Sequence, residues 1–385
     1  MLYFYYRGRI KMKENQNSRN SNFELMRIVS MFFIVLCHII GRGQMLEHSS
    51  GVLQLILRII SYIGIVHVNS FVLLTGYFQY NKKFSVRKLL KIINQQWFYK
   101  VIITLLFVFL GIQTVTKLEL FNNLLPFDIT GNYWFINCYI VLYILSPFLN
   151  RFIEHISQKE HRRCLLIFLF LFSIIPMLTD GYLVSNTGFT VVQFVLLYLA
   201  GAYLHKYPIK DNVHFKYYSK NKRQTIFFML MIFLGILNLA FSISADFLTT
   251  VSNPLVQQIG EFYRHYCMRY SNILVIAQSI FYFLYFETLS FKSRKINCIS
   301  SYTLAVYLLS DHVFVRQHLY KWIAVDQGRS ISSLKYVPYI ILWAVIIFAF
   351  CVFVEIIRVR LFAFIRKRKF YRKLQKGFWN YVKEF

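Results

Sequence analysis

One repeated feature constrains this chain more than any other: apolar stretches of bilayer length, set apart by loops that are alternately basic and nearly uncharged. Residues 24–41, 55–78, 92–112, 133–150, 164–180, 189–206, 224–244, 268–289, 298–318 and 337–357 each come close to the roughly 17 to 25 apolar residues that one helical crossing needs. In hydrocarbon a helix satisfies its own backbone polar groups, whereas an isolated strand leaves them unpaired. The pattern predicts an all-α, polytopic integral membrane protein of ten transmembrane helices.

The loops predict its orientation. Arg7, Arg9, Lys11, Lys13 and Arg19 precede the first span, and Lys82, Lys83, Arg87, Lys88 and Lys91 follow the second. Basic residues recur after spans four, six, eight and ten: Arg151, Lys159, Arg162 and Arg163, then a cluster from Lys206 to Arg223, then Lys292, Arg294 and Lys295, then Arg366 to Lys373. The opposite loops hold little more than Arg42 and Lys117, with Lys321, Arg329 and Lys335 as the exception in the last of them. Cytoplasmic loops collect Lys and Arg, so both termini are expected inside, in the plasma membrane. The net charge of +28 belongs to this topology rather than to nucleic acid, because the basic residues are parcelled between hydrophobic spans that make the chain 57% hydrophobic.

Three segments are expected: a basic cytoplasmic N-terminus over 1–21, a membrane domain over 22–360, and a basic tail over 361–385. The first span is too long for a signal-peptide core and no A-x-A site follows, so it is expected to be retained. Residues 358–385 interleave basic and aromatic residues, which suits a helix on the anionic inner leaflet or a solvated tail. The loop at 245–267 is too short to fold alone, so the chemistry is expected within the membrane. The six cysteines have no CxxC or His at ligand spacing and read as small buried hydrophobes, with no metal expected.

Within the first span, Arg27 and His38 are eleven residues apart, which places them within roughly 20° on one helix face and about 16 Å apart along the axis. Ionisable groups in a crossing helix must face protein or water, which makes a functional site the default. Arg27 can alternatively snorkel to the interface and pair with Glu24 as an anchor. His38 is too deep and too short to snorkel, leaving a packing role or proton and acyl transfer. In the ninth span Asp311 is about 20 Å from the inner end, the depth of His38, and can orient its ring; the alternative is an outer ion pair of Asp311 with Arg316. Lys100, two turns into the third expected span, suits either an anionic group or snorkelling. Trp134 suits an interfacial aromatic belt or, less readily, sugar stacking.

Glu24-Leu25-Met26-Arg27 followed by His38 resembles the first helix of the acyltransferase-3 family of integral membrane acyltransferases. Asn69 to Phe78, Tyr133-Trp134-Phe135 with Tyr143 to Asn150, and Ser301 to Asp311 resemble three further motifs of that family in the same order, so that the resemblance covers about 22–360. It departs at Thr75, where serine is usual, and at Ser310, where many members carry histidine ahead of Asp311-His312 here. The resemblance implies transfer of an acyl group, usually acetyl, from cytoplasmic acetyl-CoA to a carbohydrate hydroxyl. The expected acceptor is a surface polysaccharide, such as capsule, or its lipid-linked precursor. By motif position it implies His38 as the catalytic histidine and Arg27 as an essential arginine. On the residues themselves, Lys100 is expected with Arg27 at the phosphates of the donor and Asp311 at the histidine, with Glu24, His312, Arg316 and Trp134 in support. The rival reading is a flippase for lipid-linked glycans or a glycan polymerase; transporters often interrupt paired helices with Gly or Pro, and no such pair stands out here.

Overall fold

The computed structural model describes residues 20–126, 133–179, 187–323 and 331–365, and over these residues it is helical, without strands. The numbered helices are α1 (Ser21–Arg42), α2 (Gly51–Gly64), α3 (Val66–Gln79), α4 (Val86–Phe109), α5 (Lys117–Leu124), α6 (Trp134–His155) and α7 (Gln158–Leu169). They continue with α8 (Val191–Lys206), α9 (Lys220–Thr249), α10 (Pro254–Tyr266), α11 (Ile273–Thr288), α12 (Arg294–Ser300), α13 (Thr303–Ser310), α14 (Val313–Ile323) and α15 (Tyr336–Ile365). The basic N-terminus through Arg19, Arg329, and the tail from Arg366 lie outside the described residues.

Each of the ten apolar stretches carries helix. Seven helices are long and apolar enough to cross a bilayer, counting α2 with α3, and α7 with its continuation to Thr179, as one each. The pair α12–α13 with α14 makes an eighth only if a span bent by 87° is counted; α8 and α11, at 16 residues each, fall short. At about 1.5 Å per residue they rise some 24 Å, less than the ~30 Å hydrocarbon layer. Largely buried against other helices, they need not match it. This is a multi-pass membrane protein.

Three expected spans are broken, each with a local cause. The second divides at Ile65, where Gly64 lets Cys37 of α1 approach: a Cβ on Gly64 would lie 2.2 Å from the Cys37 sulfur. The fifth passes through a π turn at Phe170–Ile174, just ahead of Pro176. The ninth, expected straight from 298 to 318, breaks at Ser301-Tyr302 and again at Asp311-His312. Open backbone at such depth is tolerated when protein satisfies it. Here the Tyr133 hydroxyl donates to the Leu308 carbonyl at 2.7 Å and the Tyr320 hydroxyl to the Ser310 carbonyl at 3.2 Å. In α6, by contrast, Pro147 is absorbed: its missing N–H leaves the Tyr143 carbonyl, and the Ser146 hydroxyl takes it at 2.7 Å.

The expected loop at 245–267 is instead the end of α9 and the helix α10, folded back on α9 at Gly260 and tied to α2 by Arg58 and Asp246 at 2.5 Å. α15 runs on to Ile365, past the expected boundary at 360.

Helix α1 is the hub, packing against α2, α3, α11, α12, α13, α14 and α15. Beside it α3 and α8 run parallel in near backbone contact. A Cβ on Gly76 would lie 2.1 Å from the Tyr198 carbonyl oxygen, and one on Gly201 would lie 2.2 Å from that of Leu73. Small residues allow such approach in membrane bundles. Gly201→Val should therefore force the pair apart and lower stability by about 1–3 kcal/mol, read as an earlier thermal transition of the purified protein; an unshifted transition would contradict this crossing.

Candidate functional site

The site grows from the polar stripe of α1. In its first turn Glu24 is buried: one carboxylate oxygen accepts from the Ser300 hydroxyl, and the other lies 2.6 Å from the Arg27 guanidinium. Arg27 also lies over the Phe78 ring at 5.8 Å. The stripe continues as Met31, Ile34 and His38, at the three- and four-residue steps of one helix face, and these residues wall a cavity of about 800 Å³. Arg27 thus has its local partner and also lines the cavity, so the anchor and site readings are not exclusive.

The cavity is chemically two-ended. At the N-terminal end of α1 it is lined by Lys82, Lys88 and Lys91 with Arg27. At the other end it is lined by His38, Asp311, Tyr307, Tyr270 and Trp134. Between them lie apolar and hydroxyl groups, among them Phe71, Thr75, Phe135 and Leu304.

The break after Ser310 delivers Asp311 to His38, with Nδ1 and Oδ1 4.0 Å apart. That is looser than a hydrogen bond, as sites without substrate often are. The same carboxylate is held more tightly by Arg42, at 2.5 Å, and has Arg316 at 4.0 Å. Asp311 is 1% exposed, so its charge requires such partners. Both guanidinium groups of the cluster thus approach the one carboxylate beside the imidazole. Tyr320 completes it: the buried ring meets His38 edge-on at 5.9 Å and lies under Arg42 at 5.9 Å.

The other expected residues are placed as follows. His312 is buried away from the cavity lining, its Nδ1 accepting the Phe314 backbone N–H at 3.2 Å and its ring against Tyr133. Trp134 lines the cavity, stacked on Tyr270 at 5.8 Å and edge-on to Phe189 at 4.4 Å. Lys100 lies apart from the cavity. Because α4 begins at Val86, it is about 21 Å into the helix rather than two turns. Its ammonium donates to the Leu125 carbonyl at the C-terminus of α5, at 3.4 Å.

Four kinds of group were missed from sequence. Arg42 follows His38 by one turn on the same face, a spacing that was there to be read. Lys82, Lys88 and Lys91 counted only as topology signals. Tyr307 reads as an ordinary aromatic of the ninth expected span and Tyr320 falls just beyond its end, while Tyr270 falls inside the eighth expected span, 268–289, although the helix begins only at Ile273 and leaves it in the connection.

The ion cluster should behave as one unit. Arg42→Gln and Asp311→Asn should each destabilise by about 3 kcal/mol, and the double variant should lose clearly less than their sum. Thermal unfolding of the four proteins measures this, and strict additivity would mean that the two side chains do not interact.

Compared with known families, the chain matches the family model described as an acyltransferase domain over residues 20–357. No curated protein and no solved structure matches it.

Proposed function

The chain belongs to this acyltransferase family, and from that premise we propose that it moves an acetyl group from acetyl-CoA to a hydroxyl of a cell-surface polysaccharide or its lipid-linked precursor. The observation that carries the proposal is the two-ended cavity. Its mouth offers Lys82, Lys88 and Lys91, exposed ammonium groups that suit the phosphates of a nucleotide thioester, and its far end offers an imidazole beside a buried carboxylate. The apolar run between them suits a narrow, uncharged arm joining the two.

In this reading all ten apolar stretches cross the plasma membrane with both termini inside, so the lysine mouth faces the cytoplasm and His38 lies toward the outer face. Nδ1 of His38 faces Asp311, leaving Nε2 for chemistry. That nitrogen either removes the proton of the acceptor hydroxyl or takes the acetyl group itself and passes it on. The Arg42 guanidinium, held at this end of the cavity by Asp311, favours the negative charge that grows on the carbonyl oxygen in either route.

Membranes carrying the full chain, supplied with radiolabelled acetyl-CoA, test the proposal. His38→Ala should abolish label transfer to envelope glycan at normal protein level, and normal transfer would refute the assignment. Replacing Lys82, Lys88 and Lys91 with Gln should raise KM for acetyl-CoA by about tenfold or more with little change in kcat, and the wild-type KM should climb with salt as screened charges predict.

A further inference from the structure

We propose that Tyr270 is a catalytic residue of this transfer, donating a hydrogen bond from its phenol to the thioester carbonyl oxygen as that oxygen becomes negative. The inference rests on the acyl-transfer reading of the cavity given above.

Tyr270 stands in the connection between α10 and α11, yet its backbone is held from three directions. Its N–H donates to the Thr187 carbonyl at 3.1 Å. Its carbonyl accepts two side-chain amides, Asn69 of α3 and Gln193 of α8, each at 3.0 Å. Asn69 and Gln193 are almost fully buried, so two helices each direct a buried amide to one loop carbonyl. Gly188, at φ +81°, presses against the same residue: a Cβ there would lie 2.8 Å from that of Tyr270. The ring is fixed as well, stacked on Trp134 and edge-on to Phe189 at 5.2 Å.

What this clamp presents is a phenol in the wall of the cavity that His38 and Asp311 share, within electrostatic reach of Asp311 and Arg42. The guanidinium groups there are engaged with Asp311. A neutral donor on rigid backing is the type of group that stabilises a developing oxyanion without reorganising. Of the other phenols at this end, Tyr320 is buried with its hydroxyl given to the Ser310 carbonyl, and Tyr307 is 6% exposed and packs against Tyr133 and Phe135, whereas Tyr270 is half-buried.

In the direct route the acceptor oxygen bonds to the thioester carbon while His38 takes the hydroxyl proton. The carbonyl π pair moves onto oxygen, where the Tyr270 hydroxyl meets it and keeps its own proton. Collapse re-forms the carbonyl and breaks the C–S bond, and the CoA sulfur leaves with the proton from His38, giving ester and free thiol.

Tyr270→Phe removes the hydroxyl and keeps the ring packing. In membranes carrying the full chain and fed radiolabelled acetyl-CoA, kcat should fall by about a hundredfold or more, with KM for acetyl-CoA and protein level little changed. Asn69→Ala should cost about tenfold in kcat and add nothing on the Tyr270→Phe background. A wild-type kcat in Tyr270→Phe, or a loss confined to KM, while His38→Ala is inactive, overturns the proposal for Tyr270 alone. Full transfer by His38→Ala overturns the reading of the site beneath it.

Discussion

An ionised side chain among apolar helices persists only where another group compensates it, and α1 brings Glu24, Arg27 and Arg42 into that situation together with His38. Their partners come largely from one neighbour. Ser300 at the end of α12 meets Glu24, and Asp311 at the end of α13 meets Arg42 and His38. The polar stripe of the hub helix is thus docked at both ends onto the same broken span, and the cavity is the apolar gap left between the two points of attachment. Its position follows from charge compensation before any substrate is considered.

Much of this was legible in the sequence because it depends on helical spacing and hydrophobic length, which are local. The ten apolar stretches, the shared face of Arg27 and His38, and the common depth of His38 and Asp311 all follow from rise and twist. The breaks do not. No glycine or proline marks Asp311-His312; the carbonyls released there are taken by phenols, that of Tyr133 from far off in the chain and that of Tyr320 from the helix that follows. Tyr270 was invisible for the same reason, since its place is set by amides on two other helices. Arg42 differs: its spacing from His38 is visible, but a charge one residue beyond the expected span end reads as part of a loop.

The lysines show how differently one residue type is used here. Lys206 donates to the Ile153 and Ile156 carbonyls at 2.7 and 3.1 Å, closing the C-terminal end of α6. Lys100 does the corresponding task for α5. A cation at a helix C-terminus meets both unpaired carbonyls and the negative end of the dipole. Depth in an apolar helix is therefore a poor guide to which lysine meets a ligand, and the exposed lysines at the cavity mouth are the ones with donors to spare.

The near contact of α3 and α8 reaches further than packing. Asn69 and Gln193 stand level on these parallel helices, two turns before Gly76 and Gly201, and both must arrive at one carbonyl oxygen. The interhelical separation thus acts as a gauge for a phenol on the cavity wall. A methyl group added at either glycine would be registered there as a displacement, in a place that has neither lost an atom nor changed its charge.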